Sequence, residues 1–319
     1  MVRRQGDSPA SDPVETLRYV SFNQLRSFHA VARAGGVTRA AQMLHVTQPT
    51  VTIQLRQLES AYGVELVHRT PRSVRLTDIG RELYAITERI FALEREAVDL
   101  LQNAYGLLTG ELHVGGVGPY FVMRLLAEFR GLYPGIHIAL SLGNSHSILA
   151  SLVEYRNDVA VVGRPVGGAE ATDRRFKVVP FSRQPVVLFV HNSHPWAVRQ
   201  EVDIGELADE PMVMREHGSV SRQALEQALS AASVEPKTVL EVNREGVWEA
   251  VAAGLGVGMT TEAEFRADDK VHMVRLRDAV VQTEAIVVGL QDRADAPLVG
   301  AFLQLAETMS EMPQGDDAL

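Results

Sequence analysis

The sequence predicts an α/β protein with an all-α-type head, built from an N-terminal winged helix-turn-helix, a long linker helix and an α/β body. Three observations predict this. Residues 37–80 read as short helices followed by a basic hairpin, residues 79–107 carry a heptad repeat, and strands alternate with helices from Gly110 onward. A chain of 319 residues is long enough for two or three domains.

The charge is divided unevenly along the chain. Residues 1–80 contain ten arginines and six acidic residues and carry +4, whereas residues 81–319 carry −13, which gives the net charge of −9. A basic head on an acidic body is typical of a DNA-binding domain joined to a separate globular module. The chain therefore points to double-stranded DNA as a partner.

Composition excludes several classes of protein. The chain has no cysteine, which excludes disulfides, thiolate metal sites and a thiol redox switch. No run of 18 apolar residues predicts a membrane span. Residues 1–20 lack the apolar core of a signal peptide and read as a disordered tail, so we expect a cytoplasmic protein.

The head, residues 21–77, is predicted from apolar spacing and capping residues. An amphipathic helix at 22–34 ends at Gly35-Gly36, Thr38 caps a short helix at 39–44, and Thr47 caps a third helix at 48–62. The third helix has an apolar face and a face rich in Thr, Gln and Arg, whose side chains can reach base edges in a major groove.

Residues 64–77 follow as a two-stranded wing with arginines at its tip, suited to phosphate or a flanking minor groove. The residues that we expect at DNA lie on the second helix, the third helix and the wing: Thr38, Arg39, Thr47, Gln48, Pro49, Thr50, Thr52, Gln54, Arg56, Arg69, Arg72 and Arg75.

The linker helix, predicted at 78–108 and capped by Thr77, carries apolar residues at alternating steps of four and three. Such a narrow stripe with charged flanks favours self-association over burial inside one domain, and a dimer can read a palindrome with two recognition helices. The residues expected at the dimer seam belong to this stripe: Leu83, Ile86, Ile90, Leu93, Ala97 and Leu100.

The body, residues 110–312, alternates strands with helices, and ligands of such α/β sheets bind at the carboxyl ends of strands. Four strand ends run into helix starts rich in glycine and hydroxyl groups, and several helix N-termini facing one cleft favour a small anion. The residues expected at this effector come from these turns: Gly118, Tyr120, Asn144, Ser145, Gly218, Ser219, Ser221, Arg222 and Arg244.

The head resembles the LysR-type transcriptional regulators through AAQMLHVTQPTVTIQLRQLESAYGVELVHR and RLTDIG, and the resemblance extends over nearly the full chain. It implies a transcription factor whose linker helix mediates a dimer, commonly assembled into a tetramer. It also implies two α/β subdomains like a periplasmic binding protein, one at about 110–182 and 277–312 and the other at about 183–276. The chain would cross near Arg183 and return near Leu276.

The resemblance implies an effector site as well. Its members hold small, often anionic inducers at positions that Ser145 and Ser219 match, and RNA polymerase is a candidate partner. The strings GNSHSILASLVEYRNDVAVVG and MREHGSVSR are similar to members associated with aminoethylphosphonate catabolism, which implies a phosphonate effector.

Other chemistry is weakly supported. The pair His191 and His194 lacks a third metal ligand, GNSHS lacks the last glycine of a nucleophile elbow, and the glycines at 254–258 lack the lysine of a P-loop. We predict no enzyme activity, no metal and no cofactor. The alternatives are an α/β ligand-binding or enzymatic module fused to a DNA-binding head and, less well supported, a DNA-bending protein without an effector.

Overall fold

The structure, a computed structural model, describes residues 20–69, 74–103, 109–166 and 173–311. The described residues fall into two compact units that divide between Ile90 and Phe91. Three predicted features lie wholly or partly outside the described residues: residues 1–19 of the tail predicted at 1–20, Arg72, and the last two apolar positions of the heptad stripe, Ala104 and Leu107. No helix within the described ranges is long and apolar enough to span a membrane.

The head has three helices, α1 (Phe22–Ala34), α2 (Val37–Met43) and α3 (Gln48–Tyr62). They enclose a core in which Phe28, Val31, Val51 and Leu55 are completely buried. The helix α1 ends, as predicted, at Gly35, whose φ of 63° is left-handed and suits glycine. Each helix buries one apolar stripe in this core, which leaves its other face exposed to solvent.

Two details of the head differ from prediction. The helix α2 begins at Val37 after Gly36, so Thr38 lies inside the helix and its hydroxyl donates to Gln48 Oε1 at 3.3 Å instead of capping α2. The apolar spacing of α3 also predicts Ala61 in the core, whereas the structure leaves it exposed in the last turn of the helix. The cap of α3 is as predicted, with Thr47 accepting from the Thr50 amide at 3.4 Å.

The wing is a two-stranded antiparallel sheet, β1 (Val67–Arg69) and β2 (Val74–Leu76), and α4 (Asp78–Asn103) follows it. The Thr77 hydroxyl accepts from the Gly80 amide at 3.0 Å and so caps α4, as predicted. Gly80 has no space for a side chain, since a Cβ there would lie 2.1 Å from the Leu66 carbonyl oxygen. This close approach holds the start of α4 against the backbone of the residue that precedes β1.

The body is an α/β unit with these strands and helices: β3 (Gly110–Gly116), α5 (Pro119–Leu132), β4 (Ile136–Leu142), α6 (Ser145–Val153), β5 (Val159–Pro165), β6 (Phe176–His191), β7 (Glu201–Val202), β8 (Pro211–Arg215), α7 (Val220–Ala231), β9 (Lys237–Val242), α8 (Arg244–Ala252), β10 (Gly258–Thr261), β11 (Val271–Leu276), β12 (Gln282–Leu290) and α9 (Pro297–Glu311). Short 3₁₀ turns lie at Pro195–Val198, Ile204–Ala208, Glu262–Glu264 and Gln291–Arg293.

Strand pairing separates the body into two halves. In the first half the order is β4-β3-β5-β12-β6, with β3 parallel to β4 and β5, and β12 antiparallel to β5 and β6. In the second half, β10 and β11 pair with β6, while β8 pairs in parallel with β9. Each half has its own buried apolar cluster, around Phe129 and Phe302 in the first and around Leu188 and Met214 in the second.

The strand β6 joins the two halves. Its residues up to Pro185 pair with β12, and those from Val186 onward pair with β10 and β11. The sequence pattern predicts two strands here, KVVPF and QPVVLFVH, and that prediction is wrong: they form one continuous strand with an irregularity opposite Ala285 and Ile286. The chain changes halves between Pro185 and Val186, close to Arg183, and β12 brings it back after Leu276.

Candidate functional site

The first candidate site is the polar face of the head. The side chains of Thr47, Gln48 and Thr50 at the start of α3 are exposed, as is that of Arg56, six residues after Thr50. They are held in place by local bonds, since the Thr47 and Thr50 hydroxyls lie 2.8 Å apart and the Thr52 hydroxyl donates to the Gln48 carbonyl at 3.0 Å. An exposed, ordered row of hydroxyl and amide groups is suited to reading base edges.

The rest of the predicted DNA-contacting set surrounds this row. Thr38 and Arg39 are exposed on α2, Pro49 is exposed in the first turn of α3, and Gln54 is half-buried. On the wing, Arg75 is exposed on β2 between two half-buried residues. Arg69 closes β1, where its backbone pairs with Val74. The structure therefore gathers the described members of the set on α2, α3 and the wing.

The second candidate site is a cleft in the body, where the N-terminal ends of four helices meet: α5, α6, α7 and α8. The cleft has a volume of about 50 Å³. Six residues of the predicted effector set line it: Gly118, Asn144, Ser145, Ser219, Ser221 and Arg244. Free N–H groups and the positive ends of helix dipoles favour negative charge at such a place.

The hydroxyl groups of the cleft are buried and ordered. Ser145 Oγ accepts from the Gly163 amide at 3.1 Å, which leaves its own proton for an acceptor in the cleft, and Ser219 Oγ lies 3.1 Å from Ser221 Oγ. Asn144 caps α6 through the Ser147 amide and also donates to Glu216 Oε1 at 3.3 Å. These bonds connect α6 in the first half of the body to the turn before α7 in the second.

Two arginines supply the positive charge. Arg215, whose side chain is 6% exposed, donates from Nε and Nη2 to the carboxylate of Glu216 at 2.8 and 3.0 Å. Arg244 forms an ion pair with Glu264, yet its Nε is buried and has no hydrogen-bond partner among the described residues. Burial alone would raise the pKa of Glu216, but hydrogen bonds and the charge of Arg215 outweigh this effect and lower it.

Three predicted residues lie elsewhere. Arg222 lies outside the cleft, since its guanidinium donates to Glu226 at 2.7 Å, to Glu241 at 2.6 Å and to the Arg215 carbonyl at 2.7 Å. These partners make Arg222 a link between α7 and β9. Tyr120 lines a separate, neighbouring cavity. Gly218 forms the turn before α7 with a left-handed φ of 88°, where a Cβ would lie 2.8 Å from His146 Cβ.

Several polar residues of the cleft were not predicted from the sequence: Gln184, Arg215, Thr261, Glu264 and Thr283. One signal for Arg215 was available, because an arginine closes the otherwise apolar strand PMVMR at its carboxyl end. Glu264 carries no such signal, since it lies in a short 3₁₀ turn after β10 and reaches Arg244 only through the fold. In the described ranges no group of three or more His, Asp or Glu residues is placed to hold a metal ion.

Two family models match the chain. Residues 22–81 match the bacterial regulatory helix-turn-helix protein, lysR family, and residues 106–310 match the LysR substrate binding domain. Together they take in both candidate sites, because the first spans α1 to the start of α4 and the second spans the body.

Curated relatives are similar over most of their length. The chain is 32% identical over 297 residues to the regulator CbbR of Rhizobium meliloti, covering 90% of this chain and 92% of that protein. It is 34% identical over 246 residues to the RuBisCO operon transcriptional regulator of Allochromatium vinosum, covering 76% of this chain and 80% of the relative. The activator CmpR of Synechocystis is 32% identical over 246 residues, covering 76% and 79%.

Solved structures share the fold. The crystal structure of CbnR, a LysR family transcriptional regulator, has a TM-score of 0.68 at 21% identity, covering 92% of this chain and all of that one. CbnR with its target DNA has a TM-score of 0.67 at 22% identity, covering 91% and 99%. The regulatory domain of Synechocystis CcmR with 2-PG has a TM-score of 0.56 at 24% identity, covering 63% and 97%.

Proposed function

Because the chain belongs to the LysR family of transcriptional regulators, we propose that it binds a palindromic operator as a dimer or tetramer and responds to a small anionic effector. The family gives it a DNA-binding helix-turn-helix and an effector-binding domain. The matched families and relatives are transcriptional regulators and not enzymes, so a regulator is favoured over an enzymatic module. Operator binding would place its action in the cytoplasm.

One observation carries the proposal of an anionic effector: hydrogen-bond donors converge on the cleft. Four helix N-termini, the free proton of Ser145 and the unpartnered Nε of Arg244 all lie around it. Donors without acceptors in a buried site are costly, and an anion that accepts from them would remove this cost. Arg215, paired with Glu216, adds a second guanidinium to the lining of the cleft.

The sequence and one solved relative indicate which effectors to test. The similarity of the α6 and α7 segments to members associated with aminoethylphosphonate catabolism favours a phosphonate, and three acceptor oxygens would suit several converging helix ends. Thiol oxidation by a peroxide is excluded as the signal because the chain has no cysteine. The presence of 2-PG on the CcmR regulatory domain makes 2-PG a second probe to test.

The effector would act by favouring one arrangement of the two halves of the body. Asn144 on the first half already bonds to Glu216 and to the His217 carbonyl on the second half. A ligand held by groups of both halves binds one arrangement more tightly than another, and this differential affinity is what shifts the equilibrium. The change would alter the spacing of the two heads of a dimer and thereby the bending of DNA.

The test is a ligand panel on the purified full chain. We expect 2-aminoethylphosphonate, methylphosphonate or 2-PG at 100 times its dissociation constant to stabilise the native state by about 2.7 kcal/mol and raise Tm. The same compound should change the DNase footprint on the operator without being consumed. The variant Arg244→Gln should lose the shift, whereas Arg124→Gln on the exposed face of α5 should keep it. Stabilisation by neutral compounds alone would contradict the proposal.

A further inference from the structure

A second cavity adjoins the cleft. Its volume is about 640 Å³, which lies within the range of about 300–1,000 Å³ typical of sites for small organic molecules. Its walls come from both halves of the body: the start of α5 on one side, and α8, β6, β10 and the turn after β10 on the other. The anion-binding cleft is more than ten times smaller and leaves this larger space unassigned.

One wall of the large cavity is aromatic. The rings of Phe189 and Trp248 are stacked, with centroids 5.2 Å apart and planes inclined by 28°. Phe265 lies 5.7 Å from Trp248 and 6.2 Å from Phe189, so the three rings form one surface. Across the cavity, Tyr120 and Met123 of α5 are about half exposed. A surface of this kind binds flat, apolar groups by burial and ring stacking.

Three charged residues line both cavities: Arg215, Arg244 and Glu264. Two of them, Arg215 and Arg244, are cations, and the Nε atom of Arg244 has no hydrogen-bond partner among the described residues. At the outer side the large cavity is lined by the exposed Glu245 and Glu249 against Arg266. The exposed side therefore carries two negative charges and one positive charge, which disfavours an anionic group there. The end shared with the cleft carries two positive charges and one negative charge, which favours an anionic group.

We infer that the effector carries a flat apolar group, of the size of an aromatic ring, which occupies the large cavity while its anionic group lies at Arg244 and Arg215. The inference rests on the proposed anionic effector and names its class more closely as an aromatic or similarly apolar organic anion. Because Arg215 and Arg244 line both the cleft and the large cavity, one molecule can place its anionic group at the arginines and its apolar group in the large cavity.

Trp248 offers a direct reporter of this cavity. The chain has two tryptophans, and the other, Trp196, is buried in the apolar cluster around Leu188 and Met214. In the full chain with Trp196→Phe, we would titrate phenylphosphonate against methylphosphonate, with benzyl alcohol as an uncharged aromatic probe. We expect phenylphosphonate to bind at least tenfold more tightly than methylphosphonate and to change the Trp248 emission, which methylphosphonate should leave unchanged.

A pair of variants on α5 separates this cavity from general charge effects. Met123→Glu places a carboxylate on the cavity wall, whereas Leu132→Glu places it at a similarly exposed position of the same helix that lines neither cavity. Calorimetry should show that the preference for phenylphosphonate over methylphosphonate falls about tenfold in Met123→Glu and persists in Leu132→Glu. Both positions are exposed enough for the variants to fold.

The outcomes distinguish the two proposals. Equal affinity for phenylphosphonate and methylphosphonate would overturn this inference and leave the anionic effector standing. Benzyl alcohol binding as tightly as phenylphosphonate would overturn the anionic requirement, and with it both proposals. A preference for phenylphosphonate that survives Met123→Glu would show that its ring lies outside this cavity and would overturn the inference alone.

Discussion

Nη1 of Arg293 lies 2.8 Å from Oδ1 of Asp158, and both side chains are more than nine-tenths buried. Arg293 also donates from Nε to Glu96 of α4 at 3.1 Å, and the His113 amide donates to Asp158 Oδ2 at 2.8 Å. Burial alone would raise the pKa of Asp158, but hydrogen bonds from His113 and the charge of Arg293 outweigh it and lower that pKa. One buried network thus connects α4, β3 and the start of β5.

Asp158→Asn should destabilise the body by about 3 kcal/mol, because it leaves Arg293 without its buried partner. The lowered pKa means that the carboxylate stabilises the native state fully above about pH 4, its unfolded pKa, and that this stability is lost as the pH falls through the folded pKa. The free energies of unfolding of variant and wild type, measured in urea, should therefore differ less at pH 3 than at pH 7. Asp173→Asn removes an exposed carboxylate paired with Arg175 and should cost far less.

Gly80→Ala should weaken the head by about 2 kcal/mol, because its Cβ would lie 2.1 Å from the backbone oxygen of Leu66, which accepts a hydrogen bond from the Thr77 amide. Thermal unfolding and operator affinity should both decline. Gly131→Ala, in an open position of α5, should leave stability equal or higher by up to about 1 kcal/mol. A Gly80→Ala protein as stable as wild type would contradict the close contact of α4 with the Leu66 carbonyl.

Arg56→Ala should lower operator affinity about tenfold and reduce the slope of log affinity against log salt by about one, as expected for one lost phosphate contact. The residue is exposed on the polar face of α3. Arg124→Ala removes the same charge from an exposed position in the body and should change neither quantity. Unchanged operator binding by Arg56→Ala, measured by anisotropy, would remove that residue from the DNA contact.

Gly118→Ala should weaken binding of methylphosphonate about tenfold while operator binding without effector persists. The new Cβ would lie 2.2 Å from Glu264 Oε1 and 3.1 Å from the guanidinium carbon of Arg244, in a cleft of about 50 Å³. Its extended backbone, with φ of −172°, accepts alanine without strain. Calorimetry measures the effect, and wild-type affinity in the variant would place the anion away from Arg244.

Leu93→Glu combined with Leu100→Glu should convert the protein to a monomer at micromolar concentration and weaken operator binding by at least tenfold. Both leucines belong to the heptad stripe of α4 and are more than half exposed. Leu101→Glu changes a still more exposed leucine that lies off the stripe and should keep the dimer. Light scattering decides between them, and a monomeric wild type would refute the predicted seam.

Local signals made the head predictable. Gly35 ends α1 through its own left-handed backbone conformation, and Thr47 and Thr77 cap α3 and α4 through hydrogen bonds to amides three residues later. Such local features can be predicted from the spacing of residues in the sequence. The body was less predictable where tertiary context overrides local preference. The pattern predicts two strands, KVVPF and QPVVLFVH, each containing a proline, yet β6 is one continuous strand, because a register irregularity accommodates Pro180 and Pro185 lies where the pairing partner changes.

The sequence by itself determined the winged head, the apolar stripe of α4 and the alternation of strands and helices, since these depend on neighbours a few positions apart. It also named six residues that line the cleft, because each lies at the start of a helix. Only the tertiary structure decided that Arg222 is bound to Glu226 and Glu241 and that Arg215 and Arg244 line the cleft with Glu264. An arginine has several possible carboxylate partners in the sequence. The partner that it binds lies up to about twenty positions away, and only the packed fold brings the two within hydrogen-bond distance.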